Sequence, residues 1–261
     1  MSIDLIRVQT PEEKELARKL AELSVLEGEL AQRELDLATL QAELHAFERM
    51  YLRIVGIRYA ELDEIEAQIA EALARAAPKN SEEQNRASQA RAQASESAHA
   101  SKIAQEPGRR DKFTPSDALK KLYREVAKCI HPDLATDENN RVRRQHFMAE
   151  ANQAYEDGNE ARLREILREW GNSPELVEGD GVGAELVRVI RKIAQIESRL
   201  QAIESIIAQL RLSDLFRLKT EVEKAEADGT DFLEEMASKL DRQIADAKSL
   251  LAEIAMRDSE S

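Results

Sequence analysis

The chain has one cysteine, six prolines, nine glycines and only 4 % aromatic residues among its 261 positions. A single thiol, Cys129, closes no internal disulfide and builds no multi-cysteine zinc site, and it suits a reducing compartment. So few turn formers and aromatics leave little material for a multi-stranded sheet or a large catalytic core. No charge-free apolar run approaches the ~18 residues of a membrane span. The first residues, MSIDLIRVQTPEEK, mix charges into their first turns where a signal peptide needs an apolar stretch. The sequence also lacks a Gly-rich phosphate loop, a metal-ligand cluster and a recognisable nucleophile–base motif, so the expectation is no cofactor, no metal and no enzymatic activity. A soluble cytoplasmic protein is the default that remains.

Ala, Leu, Glu, Gln, Arg and Lys dominate instead, with 34 % charged and 42 % hydrophobic residues. That is the composition of long helices and coiled coils, too apolar for a wholly disordered chain. The net charge is −13. Acidic residues outnumber basic ones towards both ends, whereas the middle is nearly balanced. Such a chain is a poor nucleic-acid binder. Arg109, Arg110 and the lysines of the middle segment make only a weak case for one, because the flanking arms would repel phosphates.

The pattern predicts an all-α protein in four parts. Residues 1–77 form an N-terminal coiled-coil arm. Thr10-Pro11 followed by Glu13 reads as a helix start. Apolar residues then recur at steps of three and four from Leu16 to Ile69, disturbed around Val55–Arg58. Such a seam needs a partner, so self-association or packing against 184–256 is expected. Residues 78–112 are rich in Ala, Ser, Gln and Glu and poor in large apolar groups, the composition of a flexible low-complexity linker. Residues 113–170 form a small helical module. In 171–261 a Gly-rich break is followed by two helical stripes around Asp228-Gly229, read as an antiparallel helical hairpin.

The module carries the chemistry. Thr114-Pro115-Ser116-Asp117 is a helix start with Thr114 as cap, after which Leu119, Leu122, Tyr123, Val126 and Ile130 share one face. Lys120, Arg124 and Lys128, with Lys121 one step round, form a basic stripe on roughly the opposite face. Pro132 stops the helix, leaving His131-Pro132-Asp133 at its end. A second helix from Glu138 to Asp157 turns Phe147, Met148, Ala151, Ala154 and Tyr155 inward and ends at Gly158. A third, short helix holds Leu163, Ile166, Leu167 and Trp170.

On LKKLYREVAKCIHPD (119–133) and FMAEANQAYEDGN (147–159), the module resembles the J-domain of DnaJ-family co-chaperones. The resemblance covers about a fifth of the chain. In that family the HPD loop and the preceding basic helix dock on a DnaK-family heat-shock ATPase and stimulate its ATP hydrolysis. The resemblance thus implies His131, Pro132 and Asp133, with Lys120, Lys121, Arg124 and Lys128, as partner-binding residues. The family's short first helix is absent upstream of Phe113, and Leu134 follows HPD where a lysine is common. Neither a Gly/Phe-rich segment nor a four-cysteine zinc module is present.

The resulting expectation is a specialised co-chaperone whose arms oligomerise or choose an unknown client. The competing expectation, from a different class, is a coiled-coil scaffold whose J-like segment is purely structural. His131 is expected to be an exposed loop side chain of little weight in folding. His45, His99 and His146 lack the neighbours a metal site needs.

Overall fold

Helix α1 spans Pro11–Tyr51. Thr10 opens it with a reciprocal cap: its hydroxyl accepts the Glu13 amide at 3.2 Å, and Glu13 accepts the Thr10 amide at 2.9 Å. The computed structural model describes residues 10–104, 113–135, 137–171 and 181–260. Among these the chain is helical throughout, with no strand: α2 (Ile57–Ala76), α3 (Ser81–Ala104), α4 (Asp117–Ile130), α5 (Glu138–Glu156), α6 (Glu160–Gly171), α7 (Val182–Leu212), α8 (Asp214–Ala227) and α9 (Phe232–Glu260) follow α1. No described helix is long and apolar enough to cross a membrane.

The helices sort into two units that cut across the four expected parts. The first takes residues 1–42 and 113–212, the second 43–112 and 213–261. In the first, α1 carries two apolar stripes. Leu16, Leu23, Leu30 and Leu37, seven residues apart, pack with Val189, Ile193, Ile196 and Ile203 of α7. Ala31, Leu35 and Ala38 enter the core of α4, α5 and α6, among Leu122, Tyr123, Val126, Ile130, Tyr155, Leu163 and Ile166. Each fully buried leucine or isoleucine stabilises the unit by roughly 1.5–3 kcal/mol. The seam over 16–37 is therefore covered inside the chain, by part of the 184–256 segment expected as one of its two possible partners. The 113–170 module has no closed core of its own either, because α1 supplies one wall.

The second unit contains the end of α1, a π-helical turn at Leu52–Gly56, α2, α3, α8 and α9. The π turn is the disturbance visible around Val55–Arg58. It buries Val55, and a Cβ on Gly56 would come within 3.0 Å of the Leu52 side chain. The core gathers Phe47, Val55, Leu62, Ile65, Val222, Leu233, Leu240 and Ile244.

Two expectations are corrected here. The stretch read as a flexible linker is helix α3 over Ser81–Ala104, with 105–112 outside the described residues. It buries Ala87, Ala94 and Ser101, seven apart, while α2 buries Ala67 and Ala74. Small side chains let two helices approach closely, so large apolar groups are not required. Arg91 reaches Glu64 and Glu71 of α2, each at 2.7 Å, Gln84 donates to the Ala74 carbonyl at 2.9 Å, and Ser97 bonds Asp63. These pairs run in opposite sequence directions, so α2 and α3 are antiparallel.

The expected hairpin over 171–261 is also divided. Ser213 breaks the helix and caps α8 by accepting the Phe216 amide at 3.2 Å. Helix α7 belongs to the first unit, and only α8 and α9, joined through Gly229 at φ +80°, lie in the second. Most of the Gly-rich break, residues 172–180, lies outside the described residues.

Candidate functional site

Helix α4 is capped by Ser116, not Thr114; the Ser116 hydroxyl accepts the Leu119 amide at 3.0 Å. Its apolar face is buried at Leu119, Leu122, Tyr123, Val126, Ala127 and Ile130, as the spacing predicts. Pro132 then starts a single 3-10 turn over Pro132–Leu134. Helix α5 begins at an Asp137 cap that accepts the Asn140 amide at 2.8 Å and ends before Gly158 at φ +67°. Tyr155 packs against Tyr123 with ring centroids 4.7 Å apart and planes tilted by 49°, and it shares a 2.8 Å hydrogen bond with Thr39 of α1.

The turn is held from behind by Arg144 of α5. Its guanidinium donates to the carbonyls of Cys129 at 3.0 Å and His131 at 3.2 Å, satisfying acceptors that the end of α4 leaves open. The same guanidinium lies 4.5 Å from the Trp170 ring centroid.

His131 is not the exposed side chain expected of a docking loop. Its residue is 2 % exposed, and both ring nitrogens are engaged. Nδ1 accepts the Asp133 amide at 3.2 Å, and Nε2 meets Glu34 Oε1 of α1 at 2.9 Å. Glu34, 4 % exposed, also accepts Arg199 of α7 through Nε at 2.9 Å and Nη2 at 2.8 Å. Burial alone would raise the Glu34 carboxyl. The His131 hydrogen bond and the Arg199 guanidinium outweigh it and hold the group below the usual carboxylate range. With both nitrogens engaged, the ring has no free lone pair for taking a proton from a substrate.

The basic stripe is divided. Lys121 and Lys128 are exposed, whereas Lys120 and Arg124 are half-buried, and Arg124 donates to Gln32 of α1 at 2.9 Å. The stripe is therefore not a wholly free face. Leu134, the departure from the family pattern, is buried in the α1–α7 cluster, where a lysine would place its charge among leucines and isoleucines. Pro132 and Asp133 remain partly exposed. They line an open cleft of about 710 Å³ against α7, together with Asp137, Arg141, Gln195 and Ser198.

Sequence reasoning missed Glu34, Arg199 and Arg144. The first two carried a readable signal. Glu34 stands four residues after Leu30 and three before Leu37, and Arg199 stands three after Ile196 and four before Ile203. A charge at such a position of an apolar seam calls for a buried partner. Among the described residues no three His, Cys, Asp or Glu side chains gather as a metal site. Comparison with known proteins finds no matching family model, curated protein or solved structure.

Proposed function

We propose that the chain is a J-type co-chaperone of the cytoplasm that docks on a DnaK-family heat-shock ATPase and stimulates its hydrolysis of ATP. The observation that carries this reading is the His131-Pro132-Asp133 turn at the end of a basic helix, with Asp133 on an open cleft and Lys121 and Lys128 exposed beside it in sequence. Exposed lysines speed encounter with an acidic surface and orient it. Asp133 can accept a bidentate arginine contact. Catalysis belongs to the ATPase; this chain supplies binding energy that biases the partner's state. The second unit's helices serve client choice or oligomerisation.

The full chain is expected to accelerate single-turnover ATP hydrolysis by a DnaK-family ATPase from the same cell. Asp133→Asn abolishes the effect with the fold intact, and Lys121→Glu with Lys128→Glu slows association in a salt-dependent way. His131→Gln is unsuitable as a surface variant because it disturbs a buried network. A folded chain that stimulates no such ATPase refutes the reading.

One observation favours the scaffold reading: His131 is spent inside the fold, and Arg124 on α1. Under that reading Asp133→Asn and the lysine reversals leave every binding activity unchanged.

A further inference from the structure

We propose that Glu34 and Arg199 are positioning residues that set the shape of the docking turn through His131. The proposal rests on the co-chaperone reading for its functional consequence, and on the geometry alone for the relay itself.

A neutral imidazole has one N–H and one acceptor nitrogen. The Asp133 amide points at Nδ1, so Nδ1 is the acceptor and the proton sits on Nε2. Nε2–H then donates to Glu34. An ionised carboxylate accepts only, so Glu34 permits this tautomer and disfavours the other. Arg199, with two donors on the same carboxylate oxygen, keeps Glu34 ionised. The order of cause runs from α7 to α1, from α1 to the ring, and from the ring to the Asp133 amide.

That last bond ties the backbone at Asp133, which lines the cleft and whose carboxylate Oδ2 lies 3.8 Å from His131 Nδ1. Leu134 anchors the far side of the turn in the α1–α7 cluster, and Arg144 holds the carbonyls on the near side. Helix α1 is no detachable lid, because Ala31, Leu35 and Ala38 belong to the same core as α4 and α5. The relay is a permanent brace. A partner that reads Asp133 therefore meets a turn that loses little conformational freedom on binding.

The test uses the full chain, with the imidazole ¹⁵N spectrum of His131, hydrogen exchange at the Asp133 amide and single-turnover ATPase stimulation. Glu34→Gln keeps the shape but offers either an oxygen or an N–H₂ to Nε2, so the tautomer is no longer dictated. Its His131 signals are expected to leave the pure Nε2–H pattern. Asp133 exchange should rise, and stimulation fall, by about 10- to 150-fold, the range for losing one hydrogen bond to a charged group. Arg199→Lys should retain the wild-type spectrum, and Arg199→Met should behave like Glu34→Gln. Unchanged tautomer and exchange in folded Glu34→Gln overturn the relay. Altered tautomer with undiminished stimulation overturns its role in docking. If the wild-type chain stimulates no ATPase, the co-chaperone reading fails, and the spectrum and exchange of Glu34→Gln then support or overturn the relay by themselves.

Discussion

In the first unit α1 meets its neighbours through leucines, two tyrosines in contact at the core and a buried Glu34–His131–Arg199 network, whereas in the second α3 lies along α2 through Ala87, Ala94 and Ser101 with its charges at the rim. The same helical alphabet thus makes two kinds of contact. One fills space with large side chains and must satisfy every polar atom it encloses. The other gains close helix approach from small side chains and leaves its arginine where water screens it. Disturbing the first should empty or uncompensate a core, and disturbing the second should overfill a seam.

The largest effect is expected at Glu34→Leu, which leaves Arg199 and the His131 ring without their carboxylate. Removing one partner of a buried pair costs about 3–5 kcal/mol, measurable as a lower urea midpoint. Acid should reach the same network. Because the folded-state Glu34 carboxyl is held below its ordinary value of roughly 4.3, its contribution is complete above that pH and is lost as pH falls through the lower folded value. Glu34→Gln should therefore flatten the acid limb of the stability profile. An unchanged acid limb would mean that Glu34 gains nothing from its partners.

Ile196→Ala, at a fully buried position of the α1–α7 cluster, should cost about 2–5 kcal/mol by leaving a cavity, read by chemical denaturation. The matching change in the second unit goes the other way in size. Ala94→Leu forces a large side chain between α2 and α3 and should cost about 1–3 kcal/mol, with faster amide exchange in 81–104 as the local readout. A neutral result there would show that α3 does not depend on close approach. Arg91→Gln should have the smallest effect, a slight drop in thermal midpoint at low salt that vanishes at high salt, since the arginine and its two glutamates are solvent-exposed.

Much of the local structure was legible beforehand because it depends on neighbours a few residues apart. The Thr10–Glu13 cap, the buried face of α4, the stop at Pro132, the end of α5 at Gly158 and the disturbance that becomes the π turn follow from periodicity and backbone chemistry. Helix α3 has few large apolar residues to announce it in the sequence, and its alanine seam packs by close approach instead. The break at Ser213 went unread because the apolar stripe runs past it, although the serine hydroxyl caps a new helix there.

The candidate site divides along the same line. Its residue types and the order His131-Pro132-Asp133 after a basic helix are properties of the sequence alone. Which of those side chains face outward was decided by segments far away along the chain. Glu34 lies 97 residues before His131 in sequence, and Arg199 lies 165 residues after Glu34. Their meeting depends on α1 presenting one stripe to α7 and another to α4 and α5. A buried histidine and a half-covered basic stripe are products of that packing, since burial is set by what lies across the contact, and no local pattern contains its own partner.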